Sequence, residues 1–165
     1  MIIDHFYRNI LESLPQLVLV ATPLSDPSSG QTDFLIEYVN PAWERISGST
    51  IQTVQGKLLS QTVYADTAIP WAEIGTHTLQ DGKPRHLTVY SELVEKWLDI
   101  SATVLEPGPL CVHVMDVTEM KQGEMRLKEQ NLRLSSLSAE LAASKNNLKL
   151  KLEKIENLNN NLLRS

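Results

Sequence analysis

The chain has 165 residues, with 15 Lys and Arg against 20 Asp and Glu, which gives a net charge of −5. This acidic balance argues against binding to nucleic acid or to an acidic membrane, because both need a basic protein surface. The sequence holds one cysteine, Cys111, so no intrachain disulfide can form. The longest apolar run, residues 17–21, is too short to cross a bilayer, and no basic signal-peptide segment precedes it. We therefore expect a cytoplasmic protein without membrane insertion.

Composition changes abruptly near residue 123. All nine aromatic residues, all eight prolines and all seven glycines lie at or before that position. Residues 1–123 carry 7 basic and 15 acidic side chains, whereas residues 124–165 carry 8 and 5, so the two parts have net charges of −8 and +3. The predicted organisation is an N-terminal helix at residues 1–15, a mixed domain at 16–121 and a long helix at 122–165.

The N-terminal part begins with an amphipathic helix at residues 2–14. A polar loop is predicted between the first two strands, and a tight turn at residues 106–109 between the last two. The predicted strands are residues 17–24, 34–39, 85–93, 96–105 and 110–115. The second strand alternates Phe34, Ile36 and Tyr38 on one face. A short helix follows this strand and ends by residue 48, and another helix is predicted at residues 71–80. This order predicts an α+β fold with a five-stranded antiparallel sheet and helices on one side.

Two junctions carry helix-start signals. Asn40 followed by Pro41 is typical of an N-cap and the first helical turn. Asp116 and Glu119 have the spacing of a capping box at the start of the long helix, where negative charge also suits the helix dipole.

The long helix carries an uninterrupted heptad. One apolar residue recurs at every seventh position: Leu127, Leu134, Leu141, Leu148, Ile155 and Leu162. A sustained heptad predicts a left-handed coiled coil, and we expect a parallel homodimer with these residues at its seam. Polar residues interrupt the second core column. The alternative is an amphipathic helix that packs on its own domain.

Three stretches resemble the PAS family over about residues 8–121. Tyr38 to Gly48, YVNPAWERISG, resembles the family's YVNPAFERLTG segment. Asp116 to Lys121, DVTEMK, resembles its terminal DITERK, and Trp97 to Ser101 resembles its penultimate strand. The resemblance implies a sensor domain that passes its state to an effector along a C-terminal signalling helix. It also implies that Asp116 and Thr118 tie the sheet to that helix, so the predicted signal junction is Asp116, Thr118 and Glu119.

The resemblance implies a ligand pocket between the concave sheet face and the short helices. The candidate lining residues are Phe34, Ile36, Tyr38, Trp43, Trp71, Leu87, Val89 and Ile100, each of which also suits an ordinary core. The cofactor stays unknown. The cysteine motif of flavin-binding relatives is absent, and the haem-ligand region holds Pro70 and Trp71, although His77 lies further along the same helix. The histidines have no metal-ligand spacing, and a small-molecule ligand is compatible with the pattern.

No catalytic motif is present, so we expect a non-enzymatic sensory module that dimerises. The heptads run to the end of the sequence, from which we expect an effector beyond residue 165. Residues 153–165 resemble linkers that lead into histidine-kinase dimerisation helices. The alternatives are an input domain of a diguanylate cyclase and a stand-alone adaptor that binds proteins. A leucine-zipper DNA binder is excluded, because only two basic residues lie in residues 116–126.

Overall fold

A computed structural model describes residues 2–25, 30–65, 67–106 and 108–164, and of residues 2–4 it describes the backbone alone. Most of the predicted polar loop, at residues 26–29, and Pro107 of the predicted turn lie outside the described residues. The chain divides into two compact units, which we call the head (Met1–Thr118) and the helical unit (Glu119–Ser165). The α-helices are α1 (Ile2–Ser13), α2 (Ala42–Ser47), α3 (Trp71–Asp81) and α4 (Thr118–Leu163). The strands are β1 (Leu17–Ser25), β2 (Thr32–Val39), β3 (Arg85–Ser91), β4 (Lys96–Val104) and β5 (Leu110–Asp116).

The five strands form one antiparallel sheet in the order β2-β1-β5-β4-β3. The predicted α+β class with a five-stranded antiparallel sheet is therefore confirmed. The first and last strands of the sequence, β1 and β5, pair at the centre of the sheet, with Leu17 opposite Val114. Side chains alternate between the two faces along each strand, so the sheet can bury one face and expose the other.

One face of the sheet, here called the inner face, is almost wholly apolar. On β1 and β5 it presents Leu17, Leu19 and Ala21 beside Leu110, Val112 and Val114. The opposite, outer face carries Val20 beside Cys111 and Trp97 beside Tyr90. Inner-face side chains of all strands but β3, together with Trp43 and Ile46 of α2, form the buried core.

A β-bulge in β2 changes which residues of that strand reach the inner face. The register pairs Ala21 with Ile36 but Val20 with Tyr38, so Glu37 has no direct partner on β1. Because side chains alternate between faces, the extra residue turns Tyr38 to the outer face while Phe34 and Ile36 stay on the inner one. The prediction that all three share a face is wrong for Tyr38.

Helix α3 closes on the sheet through a glycine. A Cβ atom added to Gly75 would lie 2.5 Å from Cζ of Phe34, which is well inside van der Waals contact. Only a residue without a side chain allows α3 to approach the Phe34 ring this closely. The helix ends at Gly82, whose left-handed conformation (φ 66°) lets its N–H donate to the carbonyl of Thr78.

The edge of β2 is partly covered by the segment that follows α2. Ile36 N–H donates to the carbonyl of Lys57 at 2.9 Å, and Gly56 N–H donates to the carbonyl of Ile36 at 2.7 Å. Leu35 and Leu58 form an isolated antiparallel bridge. These bonds occupy groups that a bare edge strand would offer to another chain.

The helical unit consists of α4 after its first residue. This helix has 46 residues, which at 1.5 Å per residue corresponds to about 70 Å. None of its residues is buried. In the described part of the chain, no helix combines the length and the apolar character that a membrane span requires.

Candidate functional site: an apolar cavity in the head

The head encloses a cavity of about 90 Å³ between the inner face of the sheet and the helices that cover it. Three kinds of residue line it. The sheet contributes Leu17, Leu19, Ala21, Phe34, Ile36, Ser91, Leu98, Leu110, Val112 and Val114. Helices α2 and α3 contribute Trp43, Ile46, Ser47 and Trp71. Connecting segments contribute Leu59, Tyr64, Thr67, Ile69 and Val94.

Local structure accounts for the shape of this cavity. Ala, Val and Leu side chains line it from the central strands β1 and β5, and the indoles of Trp43 and Trp71 line it from the helices. The ring of Trp43 meets that of Tyr64 edge-on, with centroids 5.0 Å apart, an arrangement that aromatic pairs favour. The segment between α2 and α3 thus contacts α2 beside the cavity through an aromatic pair.

Among the residues that the structure describes, the lining includes no Asp, Glu, Lys, Arg or His side chain. Three of its polar side chains, Ser47, Tyr64 and Thr67, are bonded to other side chains or to the backbone. Ser49 Oγ lies 3.0 Å from Ser47 Oγ and 3.2 Å from the hydroxyl of Tyr64. Thr67 donates its hydroxyl to the carbonyls of Tyr64 and Ile69. A charged ligand would therefore enter this cavity without a counter-charge, which is unfavourable.

Two donors in the lining are left over. The Nε1 atoms of Trp43 and Trp71 are buried and have no hydrogen-bond partner in the described part of the chain. The hydroxyl of Tyr38 shares this property but lies on the outer face, away from the cavity. There burial and the nearby carboxylate of Glu12 raise the pKa of Tyr38, although Arg8 acts in the opposite direction.

The eight predicted pocket residues divide evenly. Phe34, Ile36, Trp43 and Trp71 line the cavity. Tyr38 faces the other side of the sheet because of the bulge. Ile100 is buried in the core beside the cavity, and Val89 packs against that core. Leu87 of β3 pairs with Ile100 of β4 and does not line the cavity.

Sequence reasoning missed most of the lining, in two different ways. The alternating apolar residues of β1 and β5 carried a detectable signal, since period-two alternation marks the buried face of a strand. The residues between α2 and α3 carried none, because irregular segments have no periodicity. Tyr64 and Ile69 belong to this second group.

Asn40 connects three parts of the head. Its Oδ1 accepts the N–H of Val18 at 2.9 Å, and its Nδ2 donates to the carbonyls of Leu11 and Gln16, both at 2.9 Å. Its side chain was predicted to cap α2, but the N-cap of that helix is Pro41, with no side-chain bond. The amide of Asn40 instead holds the end of α1 and the start of β1 against the end of β2.

The junction between sheet and long helix forms a second polar cluster within the head. Trp97 N–H donates to the Thr118 hydroxyl at 3.0 Å, and Thr118 N–H donates to Asp116 Oδ1 at 3.0 Å. Lys96 Nζ lies 3.3 Å from Asp116 Oδ2 and also donates to the carbonyl of Arg45 in α2 at 3.1 Å. Asp116 and Thr118 therefore lie together, and Glu119 follows in the first turn of α4.

These contacts set the charge state of Asp116. Partial burial acts to raise the pKa of this carboxyl, but the hydrogen bonds from Thr118 and the Lys96 ammonium outweigh it. The pKa of Asp116 consequently lies below its ordinary value, and the group is ionised near neutral pH. The carboxylate thus connects Lys96 of β4 to the first residue of α4.

The predicted seam residues of α4 share one property. Leu127, Leu134, Leu141, Leu148, Ile155 and Leu162 have exposed fractions between 58% and 73%. Six large apolar side chains therefore recur at seven-residue intervals on an exposed surface of α4, which is the sequence pattern of a coiled coil.

The other candidate ligands lie away from the cavity. Cys111 is buried on the outer face beside Val20, and burial raises the pKa of its thiol. His77 is exposed on α3, with Nδ1 at 4.0 Å from the carboxylate of Glu73. The described residues contain no cluster of His, Cys, Asp and Glu that could hold a metal ion.

Comparison with known proteins identifies the fold family. Residues 5–81 match the family model described as a PAS domain. The head contains a PAS domain. This match confirms the resemblance seen in the sequence. PAS domains are generally non-catalytic sensory modules. Among curated proteins, none matches the chain.

Solved structures show the same fold over a larger share of the chain. An RNA-binding light-oxygen-voltage receptor aligns with a TM-score of 0.57 and 14% identity, covering 79% of this chain and 37% of the receptor, so the chain spans little more than a third of that protein. A PAS domain from Colwellia psychrerythraea aligns with a TM-score of 0.50 and 9% identity over 71% of this chain and 98% of its own. A light-oxygen-voltage domain studied with a flavin analogue aligns with a TM-score of 0.50 and 14% identity, over 79% of this chain and 98% of its own. At these identities the likeness is one of fold.

The residues of this PAS domain do not fit a flavin. A cavity of about 90 Å³ is much smaller than a three-ring isoalloxazine, and typical ligand pockets exceed roughly 300 Å³. The sole cysteine, Cys111, lies on the outer face and so cannot bond to a ring in the cavity. No histidine lines the cavity either, so the chain offers no axial haem ligand there.

Proposed function

We propose that this chain is the sensory part of a cytoplasmic signalling protein, which dimerises in parallel through α4 and relays a change in the head to an effector. The observation that carries the proposal is the exposed heptad of α4. A lone helix gains nothing from a seven-residue apolar repeat, whereas a supercoiled pair buries every residue of it. The chain itself performs no catalysis in this proposal.

A continuous set of contacts within the head supports the relay. Trp43 and Ile46 of α2 line the cavity, and the carbonyl of Arg45, between them, accepts a hydrogen bond from Lys96. Lys96 also contacts Asp116, which binds the first residue of α4. A ligand that displaces α2 would thereby alter the contacts of Asp116. Because Thr118 is the first residue of α4, a shift of Thr118 would change the position of the start of this helix.

The effector is proposed from the sequence. Residues 153–165 resemble linkers before histidine-kinase dimerisation helices, which favours a two-component kinase. An input domain of a diguanylate cyclase is the second candidate, because such linkers share these features. A stand-alone adaptor is the third. Determining whether the gene encodes a further domain after residue 165, and of which kind, decides among them.

Oligomeric state tests the dimer. We expect sedimentation or light scattering to give a dimer at about 50 µM. Replacing Leu134 and Leu141 with Gln should yield a monomer, since both seam positions then lose their apolar contact. Gln is nearly as favourable as Leu in a helix, so α4 itself should persist.

The matched control uses two leucines of the same helix that lie off the seam. Leu132 and Leu150 are 66% and 65% exposed, close to the values for the seam residues. At about 100° per residue, they lie about 140° and 200° from the nearest seam position before them. Changing both to Gln should leave the dimer intact. A wild-type monomer contradicts the proposal, and a dimer that survives the Leu134 and Leu141 changes assigns dimerisation to the head.

A further inference from the structure

The lining of the cavity contains hydrogen-bond donors that have no acceptor. Trp43 is only 6% exposed, and no described residue accepts a bond from its Nε1 or from that of Trp71. An indole N–H can donate but cannot accept. Since buried polar groups are almost always paired, two unpaired donors at one cavity indicate that an acceptor belongs there.

The remaining polar groups do not supply this acceptor. The hydroxyls of Ser47 and Tyr64 are bonded to Ser49, that of Thr67 is bonded to carbonyls, and the hydroxyl of Ser91 accepts no bond from either indole. The cavity therefore selects a ligand that accepts hydrogen bonds. The described lining residues include no charged side chain, which selects against carboxylates, phosphates and ammonium groups.

Size restricts the ligand further. An engineered apolar cavity of about 150 Å³ holds benzene, and the present cavity measures about 90 Å³. It accommodates a molecule of benzene size or smaller, with some adjustment of its walls. An acceptor atom on a compact hydrocarbon frame describes a short ketone, aldehyde or ester.

We propose that this cavity binds a small neutral carbonyl compound, whose oxygen accepts a hydrogen bond from Trp43 Nε1 and a second from Trp71 Nε1. The hydrocarbon part of the ligand would contact the leucine and valine side chains of β1 and β5. This inference rests on the proposed sensory function of the head and names the class of molecule sensed.

Three probes of nearly equal size test the acceptor requirement. Cyclopentanone carries the carbonyl, methylenecyclopentane replaces the oxygen with CH₂, and cyclobutanecarboxylate carries a charge. Each is titrated into the ¹⁵N-labelled full chain while the indole N–H resonances are recorded. The sequence has three tryptophans, so three indole signals are expected. Trp97 lies on the outer face and serves as the internal control.

We expect cyclopentanone to shift the indole signals of Trp43 and Trp71 and to shift that of Trp97 much less. It should bind about five- to 160-fold more tightly than methylenecyclopentane, the factor that two net hydrogen bonds contribute. Cyclobutanecarboxylate should not bind. Equal affinity for the ketone and the alkene overturns the proposal, as does the absence of cyclopentanone binding or an equal shift of Trp97.

Substitution of each indole provides the second test. Trp43→Phe and Trp71→Phe keep an aromatic ring but remove the N–H, so each should weaken cyclopentanone binding while leaving methylenecyclopentane binding nearly unchanged. The two remaining indole signals report whether each variant is folded, and Trp71, at the less buried position, keeps the test available if Trp43→Phe unfolds. A ketone affinity that neither substitution changes refutes the donor role.

The same titration separates this inference from the proposed relay. In the full chain, the backbone amide of Thr118 should shift together with the indoles when cyclopentanone binds. Indole shifts without a Thr118 shift leave the ligand class standing and refute the relay. A Thr118 shift that methylenecyclopentane produces equally well supports the relay and refutes the ligand class.

Discussion

Replacement of Asn40 provides a quantitative test of how the head is held together. Asn40 is fully buried (0% exposed), and its side chain makes three hydrogen bonds at 2.9 Å. In Asn40→Ala these bonds disappear, and three backbone groups lose their partner. We expect the variant to fold but to unfold more readily than the wild type.

The three bonds differ in cost. The N–H of Val18 is in the buried core and should incur a penalty of about 1–3 kcal/mol when left unpaired. The carbonyls of Leu11 and Gln16 are only partly buried, so water can reach them, and each bond there should cost about 1 kcal/mol. The total is about 3–5 kcal/mol, a large part of the roughly 5–15 kcal/mol that stabilises a typical domain.

Urea unfolding followed by tryptophan fluorescence measures this loss. All three tryptophans lie between residues 43 and 97, so the signal reports the head and not α4. Gln80→Ala, at an exposed position of α3, is the control and should change the free energy of unfolding by no more than about 0.5 kcal/mol. An Asn40→Ala variant within about 1 kcal/mol of the wild type would refute the reasoning.

Asn40→Asp refines the test by changing only the donor. It keeps an oxygen for the Val18 N–H but places a second oxygen opposite the carbonyls of Leu11 and Gln16. We expect this variant to be destabilised near neutral pH and to recover part of the loss in acid, where the protonated carboxyl can donate to one carbonyl.

Three further measurements test other parts of the head. Asp116 has a lowered pKa, so its contribution to stability is present above its unfolded-state pKa and is lost as the pH falls through the folded-state value. The difference in unfolding free energy between wild type and Asp116→Asn should therefore shrink below about pH 4. A difference that stays constant with pH would contradict the assignment. Gly75→Ala should destabilise the head by about 1–3 kcal/mol through collision with the Phe34 ring, and Phe34→Leu added to it should restore part of the loss in the same urea assay. The Cys111 thiol, buried and with a raised pKa, should react slowly with a thiol reagent in the native state and rapidly in urea, whereas fast native labelling would show that it is accessible.

The regular elements were predictable because they depend on periodicity. Alternating apolar residues marked the five strands, and the seven-residue repeat marked α4. The bulge at Glu37 was not predictable, because one inserted residue leaves the composition of β2 unchanged yet reverses the face of Tyr38. The sequence pattern therefore predicts the strand correctly but places Tyr38 on the wrong face of the sheet.

The candidate site was predictable only in part. The two indole rings and the inner residues of β2 were found because large aromatic and apolar residues at strand and helix positions suggest a core. The contribution of Tyr64 depends on how an irregular segment folds back, which no local pattern encodes. Asn40 was identified as important, but its role differed, because its partners Leu11 and Val18 are distant in sequence.

The central position of β5 has a consequence for how the head is made. Leu17 pairs with Val114, so the middle of the sheet joins two segments almost a hundred residues apart. Such high contact order slows folding, because the chain entropy lost in closing the loop comes before any stabilising contact forms. During synthesis, β1 and β2 must wait for residue 116 to leave the ribosome before the sheet is complete. A fragment that ends at residue 81, where the family match ends, would leave one side of β1 without its partner and expose an edge prone to aggregation.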